Sequence, residues 1–214
     1  GQVQAGRPHG HAATSLRQCL AHPAVWKLSA VYFLLVTGAY GFEFWLPAIV
    51  KSLNRGSDFQ AALLSAVPYL IATVAMVVVG RRSDRTGERR WHAAVALVVS
   101  GGGFLLSTQL MHSPLAALAA LSIAWAGLKA AQGPFWALPP AFLSGTAAAG
   151  GIAVINSIAN LGGQVGPALA GYLERSTGGF SAGLMMSAIL LLAAAALITT
   201  VPEPARDAAR PGKM

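Results

Sequence analysis

Two charged side chains lie within long apolar stretches of this sequence, where an ionised group needs a partner or a function. Glu43 lies near the end of the first stretch, and Lys129 lies within the fourth. A charge inside a membrane-spanning helix costs about 2.5–3.5 kcal/mol on insertion scales. The Lys129 ammonium could bind an anion such as a carboxylate, and the Glu43 carboxylate could take up a proton. Alternatively, Lys129 extends to the cytoplasmic interface and Glu43 reaches water at the outer one.

The two charges are too far apart in the sequence-based geometry to form an ion pair. At a rise of 1.5 Å per residue, the expected depths of Glu43 and Lys129 differ by ~16 Å. We therefore predict no direct contact, unless unwinding at Gly38 or Gly41 shortens the distance.

Polar and aromatic side chains offer further contacts to a small molecule. Asn156, Asn160 and Gln164 recur at intervals of four residues, so they share one face of a helix. We expect this face to make interhelical hydrogen bonds, with the lining of a cavity as the alternative. Tyr40 and Trp136 could stack on a substrate, with packing or an interfacial position as the alternative.

One loop between apolar stretches combines turn residues with charge. It contains Gly80, Asp84, Arg85, Gly87 and Arg89, which we call the loop motif. The glycines permit a tight reversal, and Asp84 can cap a helix N-terminus or pair with a neighbouring arginine. A positive-inside loop would explain the arginines, but it does not require Gly, Asp-Arg and Gly at this spacing.

Other chemistries find no support in the sequence. The single cysteine excludes an internal disulfide, and the five histidines are scattered without further ligands at metal-binding spacing. No nucleophile–base pair or phosphate loop is present, so neither an enzyme nor a bound cofactor is predicted. The net charge of +8 is spread over short gaps between apolar stretches, which argues against nucleic-acid binding.

The candidate residues must be positioned by six apolar stretches, at 26–50, 61–80, 93–111, 115–138, 148–172 and 179–201. Each is long enough to cross a hydrocarbon core of about 30 Å as a helix. Hydrophobic residues make up 55% of the 214 residues and charged residues only 10%, which is too few to cover a water-facing surface. The stretches do not alternate with the period of two that a membrane β-barrel requires. We predict an all-α integral membrane protein.

The basic residues predict the orientation of the chain in the membrane. With six crossings, both tails and the loop at 81–90 share one side, which carries eleven of the fifteen lysines and arginines. The positive-inside rule makes this side cytoplasmic. We therefore expect a cytoplasmic leader at 1–24, a six-helix domain at 25–201 and a cytoplasmic tail at 202–214.

Small residues indicate where helices pack closely. Gly162, Gly166 and Ala170 recur every four residues, which lets a neighbouring backbone approach closely in lipid. The glycines at 101–103 are expected to do the same in the third helix.

The loop motif resembles the cytoplasmic signature of the major facilitator superfamily, although Glu88 stands where a basic residue is usual. Residues 44–47, 133–139 and 151–167 are similar to one branch of that superfamily, the anion:cation symporters. The resemblance extends over residues 20–201.

The resemblance implies an architecture of twelve helices in two halves, with the substrate site between them. This chain would be the C-terminal six-helix half, and its missing N-terminal half would be a partner. The implied function is secondary active transport of a small organic anion, with protons, across the inner cell membrane by alternating access. The alternatives are the same fold carrying a sugar or a drug, and an orphan membrane fragment that does not transport.

The resemblance also implies roles for the candidate residues. The first and fourth helices would line the central cavity. Glu43 becomes a proton site or gate, and the loop motif becomes a cytoplasmic gating element. The substrate-binding candidates are Lys129, Tyr40, Trp136, Asn156, Asn160 and Gln164.

Overall fold

The computed structural model describes residues 19–54 and 57–202, and all regular structure within these residues is helical. The elements are α1 (Pro23–Glu43), α2 (Leu46–Asn54), α3 (Asp58–Thr86), α4 (Arg89–Gln109), α5 (Pro114–Trp136), α6 (Pro139–Phe142), α7 (Gly145–Thr177) and α8 (Ser181–Thr199). The predicted all-α class is confirmed. Most of the predicted leader and tail lies outside the described residues.

Local sequence signals determine where helices begin and end. Pro23 and Pro114 lie in the first turns of α1 and α5, where a missing N–H leaves no hydrogen bond unmade. Ser57 and Gln60 form a capping box at the start of α3. Gly87 ends α3 in the left-handed conformation, with φ at 71°.

The first apolar stretch, at 26–50, is not one continuous helix. α1 ends at Glu43, and α2 begins at Leu46. Pro47 explains the break, because it cannot donate a hydrogen bond to the carbonyl of Glu43 and its ring crowds that turn. As a result, Glu43 lies at a helix end.

Five helical segments of the described chain are long and apolar enough to cross a membrane. They lie in α1, α3, α4, α5 with α6, and α8. The remaining long helix, α7, has 33 residues, which exceeds the length that a crossing needs. Its amides and glycines lower its apolarity, but it packs along α1 as part of the same bundle. The six predicted stretches therefore correspond to the six long helices.

The bundle consists of two groups of three helices. α1 packs against α7 and α8, α5 packs against α3 and α4, and the contact between α4 and α8 joins the groups. Phe42 of α1 contacts Phe104 of α4 and Trp125 of α5, with ring centroids 5.0 and 5.3 Å apart. All three side chains are fully buried.

Close helix packing at small residues is confirmed. A Cβ atom at Gly162 would meet the Thr37 hydroxyl, and one at Gly166 would meet the Thr37 carbonyl oxygen. These glycines therefore allow α7 to approach the α1 backbone. In α4, Gly101 and Gly103 likewise face other helices, but the expectation is wrong for Gly102, where a Cβ atom would meet nothing within 4 Å.

The starts of α1 and α4 meet the end of α8 at one end of the bundle. Lys27 donates to the carbonyl of Thr200 and Arg90 to that of Val201, both at 2.9 Å. Cations are favourable beside the negative end of a helix dipole. We call this end, which also carries the loop motif, the basic end.

Candidate functional site

Lys129 lies in α5, one turn after Trp125. Its Nζ atom is 4.4 Å from the centroid of the Trp125 indole ring, which is a cation–π contact. The i to i+4 spacing places both side chains on one face of the helix. Trp125 is fully buried and Lys129 is half-buried. The ammonium therefore has an electrostatic partner within the bundle.

A cavity of about 130 Å³ lies beside this pair. Trp125 and Lys129 line it from α5, and Tyr69, Thr73 and Met76 line it from α3. The indole N–H of Trp125 is buried and has no hydrogen-bond partner in the described part of the chain. A charged donor and aromatic side chains thus lie around one small cavity.

Glu43 is connected to this cavity through Tyr69. The Tyr69 side chain lies near the Glu43 carboxylate, whose negative charge acts on it. The Tyr69 ring packs edge-on against Trp125, with centroids 5.6 Å apart. Across residues 19–54 and 57–202 no ion pair joins Glu43 to Lys129. The two charges are instead linked by a pair of aromatic side chains.

Trp136 belongs to a separate aromatic group at the end of α5. Its indole ring meets the Tyr32 ring edge-on, with centroids 4.7 Å apart. Phe135 stacks on Tyr32 at 4.9 Å. Trp136 follows Lys129 by seven residues, which is about 10 Å along the axis and on the same face of α5.

Tyr40 lies on α1 beside Gly163 of α7. A Cβ atom at Gly163 would lie 3.5 Å from the Tyr40 ring. The side chain is 43% exposed, so it can still contact another molecule. The structure does not bring Tyr40 to the Lys129 cavity.

The polar face of α7 is exposed. Asn156, Asn160 and Gln164 are all on the surface of the described bundle. The Asn160 amide donates to the Asn156 carbonyl at 2.8 Å, a bond within α7 rather than the interhelical bond expected from the sequence. This polar face does not line the Lys129 cavity.

The expectation that the loop motif lies in a loop is wrong for most of its residues: Gly80, Asp84 and Arg85 lie in α3, and Arg89 begins α4. Only residues 87 and 88 connect the two helices, at the basic end. Asp84, in the last turn of α3, pairs with Arg89 at the start of α4. Of the two roles open to Asp84 from the sequence, the structure shows the arginine pair rather than a helix cap. Gly87 provides the left-handed turn between the helices, and Arg85 is exposed. Gly80 makes no reversal, because it lies within α3, where an added Cβ atom would meet nothing within 4 Å.

Sequence reasoning did not identify Trp125, Tyr69 and Tyr32. The sequence could have indicated Trp125, because it precedes Lys129 by four residues and so lies on the same face of the helix. No comparable signal existed for Tyr69, because its contacts depend on how α3 packs against α5. Within residues 19–54 and 57–202, no group of three His, Cys, Asp or Glu side chains could hold a metal ion.

Comparison with known proteins identifies the family. The Major Facilitator Superfamily profile matches residues 2–150 and 57–214. A protein from Agrobacterium vitis that is named as a candidate tartrate transporter is 43% identical over 194 residues, which are 91% of this chain and 42% of that protein. This chain belongs to the major facilitator superfamily.

Further relatives agree with this membership. A quinolone resistance transporter from Acinetobacter baumannii is 40% identical over 166 residues, which are 77% of this chain and 38% of that protein. The chain thus spans less than half the length of these curated relatives.

A solved structure shows the same fold. The crystal structure of a bacterial homologue of the human lysosomal transporter Spinster, inward-facing and unoccupied, matches with a TM-score of 0.73 at 18% identity. The match covers 94% of this chain and 52% of that one. The helices therefore have the arrangement of a six-helix part of a major facilitator fold, in a multi-pass membrane protein. Family and fold point to transport rather than catalysis.

Proposed function

We propose that this chain is the C-terminal half of a secondary transporter that carries a small organic anion, together with protons, by alternating access. The observation that carries the proposal is the Lys129 ammonium held on the Trp125 ring beside a cavity. An ammonium in an apolar helix costs free energy unless a partner compensates it. A substrate carboxylate would be a stronger partner than the indole face and could bind without unfolding any element.

The size of the cavity supports a site that a second half completes. Ligand pockets commonly measure about 300–1,000 Å³, whereas this cavity measures about 130 Å³. Major facilitator sites lie between two six-helix halves near the midplane. Substrate would then contact Lys129 from one side and the N-terminal half from the other.

The remaining substrate-binding candidates lie on surfaces that a second half could cover. Tyr40, Asn156, Asn160 and Gln164 are exposed, and Trp136 is half-buried. We assign them contacts with substrate as the two halves close around it. Their distance from the Lys129 cavity makes these assignments secondary to that of Lys129.

Proton coupling is assigned to Glu43. The carboxylate lies at a helix end beside the Tyr69 side chain, and the Tyr69 ring connects it to the Lys129 cavity. Protonation would remove the negative charge beside the Tyr69 side chain, and this would alter the packing of Tyr69 on Trp125. Binding of a proton and binding of an anion would thereby affect each other.

The loop motif is proposed to act as a cytoplasmic gate. The Asp84–Arg89 pair joins the ends of α3 and α4, and the left-handed Gly87 makes the connection tight. A tight joint would make these two helices move as a unit when the halves rock. It would affect the rate of the transport cycle rather than the affinity for substrate.

The test is uptake by proteoliposomes that contain this chain joined to an N-terminal half, with an imposed proton gradient. We expect accumulation of labelled tartrate or a related hydroxy acid, which a protonophore should abolish. Glu43→Gln should lose gradient-driven accumulation but keep substrate exchange, since exchange needs no net proton movement. Glu174→Gln, on α7, is the matched control and should accumulate substrate normally. Normal accumulation by Glu43→Gln would place the proton site elsewhere, and uptake of neutral sugars alone would overturn the anion assignment.

A second candidate cargo is an aromatic drug. The observation that favours it is the 40% identity to the quinolone resistance transporter. Trp125 and Tyr69 offer aromatic surface beside the ammonium, which a quinolone could use. Competition between labelled tartrate and a quinolone in the same uptake assay distinguishes the two cargoes.

A further inference from the structure

A second cavity of about 480 Å³ lies on a different face of α3 and α5 from the Lys129 cavity. α3 and α4 both pack on α5 rather than on each other, which leaves a groove between them. Its floor is formed by small residues of α5, including Ala126 and Gly127. Its walls are branched apolar side chains such as Val79 and Val95.

The polar residues of this groove all lie at its basic end. They are Arg82 from α3 and Trp91 and His92 from α4. The Trp91 side chain is 51% exposed, a position typical of an aromatic side chain at a membrane interface. Arg90 lies over the Trp91 ring at 5.5 Å, which adds positive charge to the same end. The groove therefore has an apolar body and a cationic mouth.

The length of the groove corresponds to one leaflet of a bilayer. From Arg82 to Ile71, its two extremes on α3, the helix rises about 16 Å at 1.5 Å per residue. Half of a hydrocarbon core of about 30 Å is close to that length. A small polar acid would find no hydrogen-bond partner along these walls, so the transported cargo does not suit the groove.

We propose that this groove binds one acyl chain of an anionic glycerophospholipid, with the phosphodiester at Arg82. The guanidinium fork matches the geometry of phosphate oxygens, and Trp91 lies beside the glycerol and ester region. The positive charge of the mouth selects a headgroup with net negative charge over a zwitterionic one. The site is separate from the proposed transport site, and neither depends on the other.

The test uses the whole chain, reconstituted in vesicles that contain phospholipids with dibrominated acyl chains, which quench tryptophan fluorescence on contact. The difference in quenching between the wild type and Trp91→Phe measures how much brominated lipid contacts Trp91 at the mouth of the groove. We expect brominated phosphatidylglycerol to bind about fivefold more tightly there than brominated phosphatidylcholine. Arg82→Gln should remove most of this preference. Arg85→Gln changes the net charge equally but lies outside the groove, and it should keep the preference.

A second pair of variants tests whether the acyl chain enters the groove. Val95→Phe fills the groove, whereas Val98→Phe adds the same bulk to the exposed surface of α4 outside it. We expect only Val95→Phe to reduce quenching of Trp91, and to reduce it for both lipids. Equal binding of the two lipids, or equal effects within either pair of variants, would overturn the proposal. Absence of Trp91-dependent quenching would also overturn it and would indicate that protein covers the groove.

Discussion

At the scale of residues, the site depends on a cation and an aromatic ring in adjacent turns of one helix. The sequence identified Lys129 because a charge within an apolar stretch stands out, but Trp125 did not stand out among the apolar residues around it. A cation–π contact contributes about 0.5–2 kcal/mol, depending on desolvation. Trp125 therefore compensates part of the cost of the Lys129 charge while the cavity is empty of substrate.

Trp125→Phe tests the role of the indole. Phenylalanine keeps an aromatic face but weakens the cation–π contact and removes the N–H donor. We expect the affinity for a carboxylate substrate to fall about 3- to 30-fold, measured by equilibrium binding to the transporter with both halves. Trp26→Phe, at a 52% exposed position of α1, is the control and should bind normally. Unchanged affinity in Trp125→Phe would exclude the indole from the site.

The relation between Glu43 and Lys129 shows what helical geometry can and cannot predict. The rise per residue gave a difference in depth that makes a direct ion pair unfavourable. The link through Tyr69 could not be predicted, because it requires α1, α3 and α5 to meet at one point. Contacts along one helix follow from spacing, whereas contacts among three helices follow from the tertiary arrangement.

At the scale of elements, the sequence predicted that α7 packs closely on a neighbouring helix, which the structure shows to be α1. Gly162 and Gly166 recur at a helical interval, and both lie against Thr37. The break at Pro47 was not anticipated from apolarity, because apolarity continues through it. The side chain pattern thus predicted a contact, and the backbone restriction of proline determined where the helix ends.

Gly166→Ala tests that contact. The new methyl group would meet the Thr37 carbonyl oxygen, so α1 and α7 would have to move apart, at a cost of about 1–3 kcal/mol. We expect a lower midpoint of thermal unfolding for the purified chain in detergent. Gly102→Ala is the matched control, since a Cβ atom there meets nothing within 4 Å. Equal midpoints for the two variants would contradict the close approach of the helices.

Asp84→Asn tests the gating role of the loop motif. The Asp84 side chain is 67% exposed, and exposed ion pairs contribute only about 0–1 kcal/mol to stability. We therefore expect little change in unfolding or substrate affinity but a slower transport rate. Arg89→Gln should have the same effect, and the double variant should be no slower than either single one. A large loss of affinity with normal turnover would contradict the gating role.

At the scale of the whole molecule, composition and apolar length predicted the membrane and the six long helices. Their arrangement into two groups of three was not predicted, because helix–helix contacts in lipid depend on small residues that many faces share. The sequence did predict that the tails and the loop at 81–90 share one end of the bundle. The bonds of Lys27 and Arg90 to the end of α8 agree with that grouping.

The orientation of the basic end can be measured directly. We expect it to be cytoplasmic, from the distribution of lysines and arginines. In a Cys19→Ser background, Ser57→Cys should react with an impermeant thiol reagent in intact cells. Arg85→Cys should react only after the cells are permeabilised. Labelling of Arg85→Cys in intact cells would show that the basic end faces the outside of the cell.

The central claim, that Lys129 binds a substrate carboxylate, is tested most directly by equilibrium binding of labelled tartrate and related acids to the transporter with both halves. Lys129→Gln removes the charge and should weaken binding about 10- to 150-fold, as expected for a lost charge-assisted hydrogen bond. Lys129→Arg keeps the charge in a different shape and should fall between the wild type and Lys129→Gln. Arg175→Gln, at an exposed position near the end of α7, removes a charge outside the site and should bind as the wild type does. If all four proteins bind with equal affinity, Lys129 does not contact the substrate.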